Sequence, residues 1–267
     1  MAKWGVPHGF ATLEEALASG KFEIASVCGP TGTHLETLSR LLDARIPAVF
    51  VEKPLDGAPK AALAMGQQFS GAGIPVAVNF LRRYDRAMQK LRSEIEAARH
   101  GRLRSITAWY SGGVMTNGTH QIDIACYLVG CEPELQSVTR TGGSDHDPAA
   151  SVLLRFGAIP FHLIASGDGR GSRHELEIAF DGAVIAVEDS GLSMRSRAYT
   201  ENRDFPGETV LERGTWRQTG LGSAMLNALD DLASWSRGAR LTSDIDSACV
   251  AISIADRIRQ RSLESSV

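Results

Sequence analysis

The sequence predicts an α/β region followed by an α+β region: a parallel sheet with helices on both faces, then a large, mostly antiparallel sheet flanked by helices. Three observations predict it. Up to Phe80, short apolar runs alternate with amphipathic helical stretches, the pattern of parallel βαβ units. From about residue 135, strand-like runs follow one another with tight turns between them, Asp181-Gly182 among them, as in an antiparallel sheet. Two amphipathic helical stretches close the chain. The expected division is therefore 1–80 and 81–267.

The elements follow in order. "ATLEEALASG" offers a capping box in Thr12 and Glu15, and Gly20 stops the helix. "FEIASVCG" is a β-rich run, and "PTGTHLETLSRLLDAR" has a second capping box in Thr33 and Glu36. The strand "IPAVFVEKP", the helix "PKAALAMGQQFSGAG" and the strand "IPVAVNF" come next. "SGAG" reads as the C-cap of that helix. A long helix over "YDRAMQKLRSEIEAARHG" leads to the strand "RLRSITAWYSGG" and the short helix "THQIDIACYLVG". Then come the strands "LQSVTRT", "AASVLLRFG", "PFHLIASG", "RHELEIAF", "AVIAVED" and "GLSMRSRAY". The helices "SAMLNALDDLASWSRG" and "DSACVAISIADRIRQRSL" are last.

Composition narrows the function classes. The 267 residues are 43% hydrophobic and 22% charged, with a formal net charge of −3. This gives no electrostatic case for nucleic acid or an anionic membrane. No apolar run is long enough for a spanning helix, and the N-terminus lacks a signal-peptide core. Cys28, Cys126, Cys131 and Cys249 are scattered, which favours reduced thiols in a cytoplasm. "SDHDP" at 144–148 places three metal-capable side chains in a row, but neighbours in an extended loop diverge, so it reads as a polar turn. No metal site is expected. The mixed charges of the 85–104 stretch read as a solvated face.

Four segments carry chemistry: "CGPTGTH", "VEKPL", "VNFLRRYDRAM" and "GGVMTNGTHQIDIACYLVG". Lys53 lies at the carboxyl end of a parallel strand, where such sheets place ligands. On the tripeptide alone, a strand that reaches solvent and turns at proline is the plainer account. His120 has the side chain that titrates closest to neutrality, although histidines on amphipathic helices are commonly packed or surface residues. For His34, an ordinary capped helix and an anion-binding helix N-terminus are equal accounts.

In order and spacing, these four segments resemble the Gfo/Idh/MocA oxidoreductases, dehydrogenases acting mostly on sugars and cyclitols. The resemblance runs from about residue 5 to the last helices and reverses the balance at Lys53 and His120. It implies a Rossmann-type first region that binds NAD or NADP. It implies catalytic roles for Lys53 and His120, and cofactor contacts from Pro30, Thr31, His34, Glu52 and Lys53. A cis Lys53-Pro54 bond would fit. Tyr84, Tyr110 and Asn117 are the expected substrate-facing side chains, and Asp123 is expected to cap or orient its helix. The expected partners are a sugar-type small molecule and a second copy of the chain, in a dimer or tetramer formed through the C-terminal sheet.

The sequence also departs from the family pattern. The family's opening strand, Gly-x-Gly-x-x-Gly turn and helix have no counterpart here, so the first region reads as an N-terminally truncated Rossmann sheet. "GDGRGS" at 167–172 imitates the turn but lies between antiparallel strands, and reads as a hairpin connection. Thr116 stands where many members carry an aspartate four residues before the histidine, and Leu81 where many carry asparagine. Two functions follow as expectations. The first is an NAD(P)-dependent oxidoreductase acting on a hydroxyl or keto group of a sugar, cyclitol or sugar-nucleotide derivative. The alternative is a non-catalytic descendant that binds carbohydrate or oligomerises without cofactor. A truncated product with an uncovered sheet edge is a third possibility.

Overall fold

The computed structural model describes residues 3, 5–167, 171–235 and 240–264. Three short strands, β1 (Ile24–Val27), β2 (Ala48–Val51) and β3 (Val76–Val78), form a parallel sheet in that order. Helices α1 (Leu13–Ser19), α2 (His34–Asp43) and α3 (Pro59–Gly71) alternate with them. The first capping box is present: Thr12 accepts from the Glu15 amide, and Glu15 accepts from the Ala11 amide. The second is not. Thr31–Thr33 forms a 3-10 turn, and the Thr33 hydroxyl donates to the Pro30 carbonyl at 2.8 Å instead. Glu36 pairs with Arg40, one turn on. The α3 terminus behaves as expected, with Gly73 at φ 68 and the Ile74 amide donating back to Phe69.

The helix expected over 84–101 is shorter. Leu81–Tyr84 is a 3-10 turn, and α4 (Arg86–Glu96) begins only where Asp85 caps it by accepting from the Ala87 amide. Strand β4 (Leu103–Tyr110) leads to a π-helical turn, Val114–Gly118, and then α5 (Thr119–Val129). Strands β5 (Glu134–Gly143), β6 (Pro148–Phe156), β7 (Ile159–Ala165), β8 (His174–Phe180), β9 (Ala183–Glu188) and β10 (Ser193–Glu201) follow. Two short strands not foreseen, β11 (Thr209–Leu211) and β12 (Thr215–Gln218), pair with β10.

The nine strands run β11-β10-β9-β8-β4-β7-β6-β5, with β12 also on β10. The β8–β9 hairpin at Asp181-Gly182 is present. The hairpin expected at 167–172 is not: β4 lies between β7 and β8 and pairs parallel with β7, so that connection crosses over a strand. Asp168–Arg170 of that segment lie outside the described residues.

Helices α6 (Ala224–Trp235) and α7 (Ile245–Glu264) end the described chain. The segment before α7 closes the β3 edge, the Val78 amide donating to the Ser243 carbonyl at 2.9 Å. Helix α7 then packs on α3, α5 and β5. All strands of the parallel sheet precede Phe80 and all of the larger sheet follow it. The apolar core is nevertheless continuous, from Val49 and Phe69 through Ile252 to Ile106 and Leu163.

Candidate active site

The carboxyl ends of β1, β2 and β3 point the same way, and three loops leave from them. The first carries Pro30 and Thr31, exposed and half-buried respectively, above the β1 end. His34 is almost fully buried. Its ring spans the Gly29 carbonyl at 2.8 Å and the Pro54 carbonyl at 3.0 Å. Its role in this structure is to brace one loop against the next, not to present an imidazole outward.

The second loop follows β2. Glu52 accepts from the Asn79 side-chain amide at 2.7 Å, and Lys53 precedes a cis bond to Pro54. Lys53 Nζ donates to the Thr116 carbonyl at 2.6 Å, bridging to the π-helical turn. Burial lowers the Lys53 ammonium below its usual range, opposed by Glu52 and, more weakly, by Asp147. The third loop begins at Asn79, whose Oδ1 is buried at the end of β3 and accepts nothing. An acceptor left open there suits a carboxamide N–H.

His120 sits on the first turn of α5. Its ring meets Phe80 edge-on at 6.0 Å and His174, the first residue of β8, at 5.7 Å. Burial first, then Lys53, Arg82 and His174, hold the imidazole well below its ordinary pKa. At neutral pH it is an uncharged proton acceptor. On the next face of α5, Asp123 is bidentate with Arg83 at 2.6 and 2.9 Å, and Arg83 also reaches Ser247 and the Thr242 carbonyl. Burial pushes the Asp123 carboxyl up to about 6 against the pull of Arg83, so it is ionised at neutral pH. This pair ties the 3-10 turn, α5 and the segment before α7 together, so Asp123 orients the helix that carries His120.

The expected substrate residues fare unevenly. Tyr84 and Tyr110 are fully buried. The Tyr84 hydroxyl donates to backbone carbonyls of Val78 and Ser243, and that of Tyr110 to Ala150. With no exposed surface, both are core residues beneath the site. Asn117 is half-buried, and its amide holds the Ser111 carbonyl at 2.7 Å.

Asp147, from the "SDHDP" turn, is a residue that sequence reasoning passed over. Its carboxylate accepts from the Met115 amide at 2.7 Å, the Thr116 amide at 3.3 Å and the Thr116 hydroxyl. A Cβ on Gly113 would overlap that carboxylate. A carboxylate therefore stands at position 116 in space although the residue there is threonine, and it fixes the carbonyl that Lys53 uses. Nothing in the sequence links residues 31 apart. His174 was missed for the same reason; β-pairing of Tyr110 with His174 brings it in. Among the described residues no cluster of metal-binding side chains occurs. A cleft of about 980 Å³ between α4, α5, α6 and the segment before α7 includes Arg92, Tyr127, Glu132 and Asp230, but none of Lys53, Arg82, His120 or His174.

Residues 1–80 match the model of the Gfo/Idh/MocA oxidoreductase family, NAD-binding Rossmann fold. An inositol 2-dehydrogenase of Rhizobium meliloti (strain 1021) is 29% identical over 144 residues, covering 49% of this chain and 43% of that enzyme. The chain thus spans less than half the length of the curated relatives it matches (43% and 37%). Among solved structures, an Agrobacterium radiobacter oxidoreductase in complex with NAD+, L-tartaric acid and magnesium superposes with a TM-score of 0.78. It is 13% identical, with 99% of this chain and 84% of that one covered. An inositol dehydrogenase homologue from Azotobacter vinelandii, complexed with NADH and myo-inositol, gives 0.75 at 17% identity, covering 94% and 79%. Both share the fold.

Proposed function

We propose, for a chain that belongs to the Gfo/Idh/MocA oxidoreductase family, that it forms the catalytic half-site of an NAD(P)-dependent oxidoreductase acting on a hydroxyl of a sugar, cyclitol or sugar-nucleotide derivative. The observation that carries this reading is the meeting of Lys53, on the turn after β2, with the π-helical turn that leads into His120.

The residues present fit a nicotinamide: an exposed loop over β1, an ammonium after β2 and an unpaired buried acceptor at Asn79. When bound, the nicotinamide supplies the hydride acceptor. His120, uncharged and half-buried, takes the hydroxyl proton. Lys53 keeps one N–H on Thr116 and has two more to direct at the oxygen as negative charge develops on it. The Arg83–Asp123 pair keeps α5 in place while the His120 proton inventory changes. No proton passes through it.

A homo-oligomer belongs to the same reading, formed through the larger sheet, where Tyr199, Val210 and Trp216 are exposed. Light scattering should give two or four times the chain mass, and a single chain mass would reject it.

Calorimetry with NAD+, NADH, NADP+ and NADPH on the 267-residue chain tests the reading. Binding of one pair is expected, and Lys53→Ala should cut turnover about 100-fold or more while leaving dinucleotide affinity within a few-fold. No binding of any of the four would sink the oxidoreductase reading and leave the cofactor-free alternative.

A further inference from the structure

We infer that the substrate is anionic, a sugar derivative bearing a carboxylate or phosphate that Arg82 and His174 receive beside the reacting hydroxyl. This deepens the reading above and rests on it for the identity of the reacting centre.

The inference comes from accounting for hydrogen-bond donors around His120. Arg82 and Arg83 are sequence neighbours with opposite fates. Arg83 has a bidentate carboxylate and two further acceptors. Arg82 forms no ion pair among the described residues. Among the described residues its one side-chain hydrogen bond is a 3.4 Å contact from Nη2 to the Ser190 carbonyl, and its buried Nε has no partner. The Nδ1 of His174, a ring on which Arg82 acts electrostatically, is buried and also has no partner. The orphaned Arg82 Nε–H is costly unless something supplies an acceptor, and the His174 Nδ1 is a second nitrogen left open to a ligand.

The protein does not supply that acceptor. Each neighbouring carboxylate already accepts hydrogen bonds elsewhere: Asp123 from Arg83, Glu52 from Asn79, Asp147 from Met115 and Thr116, and Asp85 from the Ala87 and Gly220 amides. No carboxylate hydrogen-bonds Arg82 among the described residues, and its guanidinium acts on the uncharged His120 and His174 with donors to spare. Burial brings the Arg82 guanidinium down to about 10, which still leaves it charged at neutral pH.

Shape adds a second argument. Asp189, Ser190 and Gly191 run at φ 53, 54 and 103, a strained turn for the first two. Ser193 donates to Asp189 and Ser190 donates to the Ser172 carbonyl, which ties the turn to the approach of β8. A Cβ on Gly191 would come within 3.7 Å of Arg82 Nε. The turn thus lays backbone beside the guanidinium. A planar guanidinium suits the paired oxygens of a carboxylate or phosphate. Contact between the His120 and His174 rings places this group at the reacting centre, apart from the Pro30–Thr31 loop.

The test is calorimetry on the 267-residue chain with D-glucuronate, D-glucose 6-phosphate and D-glucose, each with and without the dinucleotide that binds. One of the two anionic sugars should bind at least about ten-fold more tightly than glucose. The favoured anion identifies the group. Arg82→Gln should remove that margin and leave glucose and dinucleotide affinity unchanged; Arg82→Lys, retaining charge without the fork, should recover part of it. Thermal melts of both variants establish folding. Equal affinity for the three sugars, no binding of either anion, or an Arg82→Gln variant that keeps the margin would each overturn the inference. Anion binding without any dinucleotide binding would uphold it and overturn the oxidoreductase reading.

Discussion

The two sides of α5 treat charge in opposite ways. On one side Arg83 and Asp123 are sealed, each the other's partner, with Ser247 and the Thr242 carbonyl completing the set. On the other, His120 faces Lys53, Arg82 and His174, whose donors are only partly used. The sealed side is scaffold: its cost of burial is met within the chain. The open side leaves donors for something that is not part of the chain.

The largest effect should come from breaking the sealed side. Asp123→Ala strands a buried guanidinium and should cost about 3–5 kcal/mol in denaturant unfolding. Replacing both partners with apolar residues of similar volume, Arg83→Met with Asp123→Leu, should recover most of it. If the single variant lost under about 1 kcal/mol, the pair would not be the tie described here.

Next comes the carboxylate that holds the Thr116 segment. Asp147→Asn removes charge-assisted bonds to Met115 and Thr116 and should cost about 1–3 kcal/mol. Because Asp147 opposes the burial that lowers Lys53, its loss should lower Lys53 further. Labelling of Lys53 by an amine-reactive ester at neutral pH, read by mass spectrometry, should then rise about two- to three-fold. An unchanged labelling rate would separate Asp147 from Lys53. Gly113→Ala should act on the same carboxylate by crowding it, with a loss of about 1–3 kcal/mol.

The smallest effect is in pH. Burial first, then Arg82 and Lys53, depress His174 to about 4, below its ordinary 6.5. The unfolded chain therefore takes the proton before the folded one does. The stability this histidine contributes is complete above about pH 6.5 and is lost as pH falls toward 4. The groups facing it are His120, Arg82 and Lys53. His174→Gln should flatten that part of the stability–pH profile, and an unaltered slope between pH 6.5 and 4.5 would count against the open side as drawn.

Much of the scaffold was legible because local rules carried it. The alternation before Phe80, the Thr12–Glu15 cap, the Gly73 terminus and the Asp181-Gly182 turn all stand where the residues indicate. Lys53 and His120 were readable from motif order, and the structure brings Lys53 to the turn that leads into the His120 helix. The misses share a cause. Thr33 lost its cap to a 3-10 turn, which costs too little to show in composition. Tyr84 and Tyr110 were expected to face substrate, yet the core took both. Asp147 and His174 reach the site only through β-pairing across the larger sheet, and the parallel β4–β7 contact was invisible to a reading that joins neighbours by hairpins.

The Ser243 carbonyl that closes the β3 edge, and the α7 helix that covers α3 beyond it, come from the end of the chain. Until residues 240–264 are in place, β3 has an open edge and α3 an uncovered face. The parallel sheet is therefore completed by a contact, Val78 to Ser243, that is remote in sequence, the kind of non-local pairing that slows folding.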